Sequence, residues 1–155
     1  MKIETEKEVY KLCDPWYKTV LEEEFGKVNF VSKEFPDIKT FDDACQALGT
    51  TEEKFNEKWN ALGLPNDTLF YEKLKLVTKA LNGGWVPDWS DSNQPKWFNY
   101  FEVLSSGTDF SGSYPVNHYR YANVGSRLCF ESQKKAEHAR KYFENFYSQF
   151  LLITE

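Results

Sequence analysis

Apolar positions follow two regimes along the chain. Up to residue 84 they recur every three or four residues in short blocks separated by stop signals, which predicts helices. Thr5 with Glu8 makes a capping-box pattern ahead of Val9 and Leu12, and Asp14-Pro15 restarts a helix with the stripe Trp16, Val20, Leu21 and Phe25, ended by Gly26. Thr40 is placed to cap a helix in which Phe41, Ala44, Cys45 and Leu48 share one side and Gly49 is the terminator. A second capping box, Thr50 to Glu53, opens a helix carrying Phe55, Trp59 and Leu62 before Gly63-Leu64-Pro65. Phe70, Leu74, Val77 and Leu81 trace a further helix from Asp67 to Leu81, ended by Asn82-Gly83-Gly84. The double glycine is the best boundary between a helical subdomain, 1–84, and a mixed one, 85–155, packed together as one compact unit.

Beyond residue 84 the period changes. Trp85-Val86-Pro87-Asp88-Trp89-Ser90-Asp91 is rich in turn formers, with two tryptophans to anchor it. Lys96 to Leu104 reads as a strand with aromatics on both faces, and such a strand is expected to be covered on both sides. Ser105 to Ser113, rich in Gly and Ser, reads as a loop. Asn117–Ala122 and Ser126–Glu131 read as a hairpin turning at Val124-Gly125. An even-numbered loop puts Tyr119, Tyr121, Leu128 and Phe130 on one face and leaves His118, Arg120, Arg127 and Glu131 on the other, around Cys129. Ser132 is placed to cap a last helix whose Ala136, Ala139, Phe143, Phe146 and Phe150 should lie on the sheet's apolar face. The predicted fold is therefore α+β: an N-terminal helical half, then a three-stranded antiparallel β-meander closed by a long C-terminal helix.

Composition narrows the function classes. Aromatics make up 17% of the 155 residues and the formal net charge is −5, which argues against broad, sequence-blind binding to nucleic acid. The one local positive excess runs from Arg120 to Lys141 and holds all three arginines. Cys13, Cys45 and Cys129 are odd in number and lack metal-ligand spacing, so they read as buried thiols in a reducing cytoplasm. No window approaches the roughly 20 apolar residues that span a bilayer, so no membrane association is expected. The run Glu22-Glu23-Glu24 reads as a solvated helix face rather than a metal cluster. The helices at 40–62 resemble a helix-turn-helix in spacing, but Glu52 to Trp59 is net acidic, and a core-forming helical hairpin explains the pair better.

Four blocks in order, Thr40 to Gly49, Ala80 to Trp89, Lys96 to Phe101 and Val124 to Ser132, together with Leu21 to Gly26, resemble a family of small uncharacterised proteins from phages and prophages of Bacteroidetes bacteria. The resemblance covers nearly the whole chain. It implies a phage-related origin and a cytoplasmic site of action, and carries no activity or catalytic residues with it.

No nucleophile, metal or phosphate motif is present, and His118 and His138 stand in no catalytic spacing, with His138 expected on a solvated, charged helix face. Asp88 and Asp91 read as turn formers rather than an acid–base pair. The expected function is a non-enzymatic accessory protein, without cofactor or metal, that binds a protein partner or a second copy of itself through surface aromatics. The candidate binding residues are Trp85, Trp89, His118, Arg120 and Arg127. The alternative is single-stranded nucleic-acid binding, with bases stacked on the meander's aromatics and phosphates held by Arg120 and Arg127.

Overall fold

The computed structural model describes Thr19 and residues 34–91, 93–104, 107–116 and 126–152. In order, these residues form helices α1 (Phe41–Ala47), α2 (Glu52–Asn60) and α3 (Asn66–Asn82), strands β1 (Lys96–Leu104) and β2 (Gly107–Val116), a 3-10 turn (Ser126–Leu128) and helix α4 (Gln133–Leu151). Apart from Thr19, the readings at Thr5–Glu8, Trp16–Gly26 and Asn117–Ala122 lie outside the described residues, as does Cys13.

Local chemistry accounts for the helix boundaries. Thr40 Oγ1 accepts the Asp43 N–H at 3.1 Å while Asp43 Oδ2 accepts the Thr40 N–H at 2.9 Å, the reciprocal capping box that starts α1. The helix ends in a Schellman motif: the Thr50 N–H reaches Cys45 O, the Gly49 N–H reaches Gln46 O, and Gly49 takes a φ of 71°. Because Thr50 is consumed by that motif, the cap of α2 moves one residue on. Thr51 Oγ1 accepts the Lys54 N–H at 3.2 Å, correcting the expected Thr50 box. Gly83, with φ 59°, terminates α3. Ser132 Oγ accepts the Lys135 N–H at 3.4 Å and opens α4 as expected.

The three-stranded antiparallel meander is contradicted, for the described residues are mostly helical. Their one ladder joins β1 to β2, with Lys96 opposite Val116 and Leu104 opposite Gly107. The segment read as a Gly/Ser loop thus supplies most of β2, and a bulge between Tyr100 and Phe101 absorbs one extra residue. The segment read as the last strand, Ser126–Glu131, is instead a 3-10 turn followed by a single bridge. Trp97 N–H donates to Phe130 O at 3.0 Å and Phe130 N–H donates to Trp97 O at 2.8 Å. Trp97 spends both backbone groups on that side, so its pairing with Pro115 on the β2 side needs no N–H from the proline.

On the edge of Phe130 that faces away from β1, a side chain takes the neighbouring peptides. Asn82 Nδ2 donates to Cys129 O at 2.8 Å, and Asn82 Oδ1 accepts the Glu131 N–H at 3.2 Å. One amide at the end of α3 therefore does what a peptide of a neighbouring strand would do.

The main core combines α1, α3 and α4, with Phe41, Cys45, Leu81, Phe130, Ala139 and Phe143 buried together. Burying an aliphatic or aromatic side chain of this size contributes roughly 1.5–3 kcal/mol. Phe41 meets Phe55 of α2 edge to face at 5.0 Å and Phe146 of α4 at 5.6 Å. Lys73 of α3 lays its ammonium 4.9 Å from the Phe41 ring centroid and 5.4 Å from that of Phe146, so one cation ties three helices. The apolar stripe of α4 faces helices more than strands, another departure from expectation: Phe150 stacks on Tyr71 of α3 at 5.1 Å. Tyr147 of α4 meets the ladder, 4.8 Å from the Phe101 ring and accepting from Asn99 Nδ2 at 3.2 Å. Cover on β1 is one-sided at Tyr100, which is 59% exposed.

Candidate functional site

The segment that follows α3 is shaped by its own polar side chains. The Trp85 N–H returns to Asn82 O at 3.1 Å, which places the Trp85 side chain directly beyond the helix end. Asp88 Oδ1 accepts from the Ser90 N–H at 2.8 Å and from the Ser90 hydroxyl at 2.6 Å, an Asx turn. Those bonds to Ser90 hold the Asp88 carboxyl below its ordinary 3.8. Asp91 Oδ1 accepts the Asn93 N–H at 2.8 Å. Both carboxylates are thus committed to turns, as their sequence context implied.

At the centre of this loop is a lysine that sequence reasoning missed. Lys96 is 1% exposed, and its ammonium donates to Asp91 O at 2.8 Å and Gln94 O at 3.0 Å. It also lies 5.6 Å from the Trp89 ring centroid. The loop is wrapped around a cation, and Trp89 is held by it. Opening a strand with Lys is unremarkable in sequence, so no local signal marked this one for burial.

These constraints create a groove of about 450 Å³ between the loop and α3. Lys75, Thr78 and Lys79, at helical spacings i, i+3 and i+4, form the α3 wall. Trp85, Val86 and Trp89 form the loop wall, and Arg127 and Cys129 close one end. Both tryptophans are half-buried, whereas Val86 is 75% exposed. Among the described residues no carboxylate lines this groove, and neither Lys79 nor Arg127 forms an ion pair. Lys75 pairs with Glu72, which does not line this groove.

Three of the five sequence candidates, Trp85, Trp89 and Arg127, therefore meet in one place. His118 and Arg120 lie outside the described residues. Since 126–128 is a 3-10 turn, the polar sheet face that was to carry Arg127 is replaced by the end of this groove. Lys75 and Lys79 were missed, although their i, i+4 spacing just before Asn82-Gly83-Gly84-Trp85 is visible in the sequence.

The remaining reactive groups serve structure. Burial pushes the Cys45 thiol up to about 12 and the Cys129 thiol up to about 11, so neither is a thiolate near neutral pH. His138 is half-buried, contrary to the solvated position expected of it: Nε2 donates to Ile38 O at 2.6 Å, between the rings of Phe35 and Tyr142. Among the described residues no group of three His, Cys, Asp or Glu side chains is placed to hold a metal ion. No described helix is long and apolar enough to cross a membrane. Comparison with protein-family models, curated proteins and solved structures found no match.

Proposed function

We propose that this chain is a non-enzymatic, phage-related accessory protein that binds a protein partner, or a second copy of itself, through the groove between α3 and the Trp85–Trp89 loop. The observation that carries this reading is the juxtaposition of Trp85, Trp89 and the 75% exposed Val86 along one open groove. Aromatic side chains on a pre-organised loop supply contact area at low entropic cost, and such residues dominate binding energy at protein interfaces. The Asx turn at Asp88 and the buried Lys96 provide that pre-organisation. The phage-related origin is supported by the ordered blocks of sequence alone.

Site-specific photo-crosslinking in the producing cell tests the reading. Benzoylphenylalanine at Val86 should give a discrete adduct, while the same probe at Tyr100, 59% exposed and not lining the groove, should not. Trp85→Ala should weaken the interaction by about 2 kcal/mol, roughly thirtyfold. Equal adducts from both positions, or none from either, would sink the proposal. Sedimentation of the purified chain then tells a second copy from a different protein.

A second reading is supported by the cations. Lys75, Lys79 and Arg127 beside two tryptophans are also what single-stranded nucleic acid requires. Binding of short oligonucleotides at low salt that is lost in an Arg120→Glu/Arg127→Glu double variant would favour it. No binding at low salt would remove it.

A further inference from the structure

Next to the Trp85–Trp89 groove lies a second, of about 350 Å³, between α2 and α3. Lys75 and Lys79 line both grooves, so the two adjoin along one helix. In α2, Lys54 and Lys58 form the rim, while Phe55 and Trp59, at the same i, i+4 spacing, face the floor with Leu76 of α3. The carboxylates of this net-acidic helix are sorted away from the groove: Glu53 and Glu57 are exposed and do not line it. In a chain of net charge −5, the two grooves together carry Lys54, Lys58, Lys75, Lys79 and Arg127 against Glu72, which is itself paired with Lys75.

We propose that the two grooves form one channel that takes an acidic amphipathic helix of a partner protein. This rests on reading the Trp85–Trp89 groove as a binding face. An apolar floor with lysines along its rim complements a helix whose apolar stripe is flanked by Glu or Asp. From Glu72 to Asn82 the α3 wall runs ~15 Å, matching about three turns of such a helix. Nucleic acid fits less well. Lys58 lies 4.6 Å from the Trp59 ring centroid and Lys96 lies 5.6 Å from that of Trp89, so one face of each ring is already covered by a cation. Leu48, Leu76 and Val86 offer aliphatic contact rather than flat surfaces.

The test uses the full chain and a fluorescein-labelled helical peptide with Leu and Phe on one face and Glu beside them, its Lys-for-Glu counterpart, and oligothymidylate. The acidic peptide should bind, and its affinity should fall several-fold between about 50 and 300 mM salt. The basic peptide should not bind. Lys54→Glu/Lys58→Glu, at exposed sites, and Val86→Glu should each weaken binding by about tenfold or more, with unchanged circular dichroism. Equal binding of the two peptides, or none by the acidic peptide at about 1 mM, overturns the proposal. So does tighter binding of oligothymidylate that the same variants abolish, which assigns the channel to single-stranded nucleic acid. Sensitivity to Val86→Glu and Trp85→Ala but not to Lys54→Glu/Lys58→Glu overturns the channel while leaving the Trp85–Trp89 groove as a binding face. The reverse pattern confines the helix to the α2–α3 groove and removes that face.

Discussion

Asn82 carries more of the architecture than its place in a stop signal implies. Its amide serves the Cys129 carbonyl and the Glu131 N–H, and Asn82 itself is buried, so truncation removes a hydrogen-bond partner from both peptides. Each such loss costs about 1–3 kcal/mol. Asn82→Ala is therefore expected to destabilise the chain by about 2–4 kcal/mol, read as a fall in the urea midpoint with an unchanged slope. Asn82→Asp should be similarly costly, since a carboxylate cannot donate to Cys129 O. A cost below about 0.5 kcal/mol would show that the bridge at Phe130 does not depend on this amide. In sequence, Asn82 reads only as a helix stop before two glycines. Its partners lie 47 and 49 residues away, beyond the reach of any local pattern.

At the scale of elements, the helices and strand β1 were legible, and the pairing of strands was not. The stripe from Phe70 to Leu81, the caps at Thr40 and Ser132 and the stops at Gly49 and Gly83 all depend on neighbours within a turn or two, and each stands in the structure. The cap of α2 shows how fine the remaining competition is. Thr50 and Thr51 are both capping residues, and the Schellman closure of α1 takes the first. Thr51→Ala should therefore cost about 1 kcal/mol, whereas Thr50→Ala should cost a few tenths at most. Parallel urea melts of the two variants check this, and equal losses would return the cap to Thr50. Strand pairing failed for the opposite reason. Gly and Ser in β2 weaken any propensity signal, while Ser126–Glu131 has the apolar alternation of a strand at Leu128 and Phe130 but finds its partners in one bridge and one side chain.

For the whole molecule, the thiols predict a response to pH. Cys45 and Cys129 are buried with pKa values raised from 9.0 to about 12 and about 11, and burial raises that of Tyr147 as well. In the unfolded chain these groups lose protons at their ordinary values while the folded chain still holds them, so their stabilising contribution is intact below pH 9 and declines as pH rises toward about 11–12. The melting temperature should fall between about pH 8.5 and 10.5, and Cys45→Ala should flatten that fall relative to its own neutral-pH value. An unchanged slope in Cys45→Ala would contradict the assignment. Asp88 acts at the other end, for its lowered carboxyl favours the ordered turn above about pH 4 and releases it as pH falls through the folded value.

The sequence by itself determined the helical elements from residue 40 onward, the caps at Thr40 and Ser132, the stops at Gly49 and Gly83, strand β1, and the turn chemistry around Trp85 and Trp89, because these rest on interactions within a few residues. Only the tertiary structure decided that Trp85, Trp89 and Arg127 share a groove with Lys75 and Lys79, that Lys96 is enclosed beneath Trp89, and that an asparagine stands in for a strand. These depend on which distant backbone groups are left unpaired once the helices pack, a quantity that no window of sequence contains.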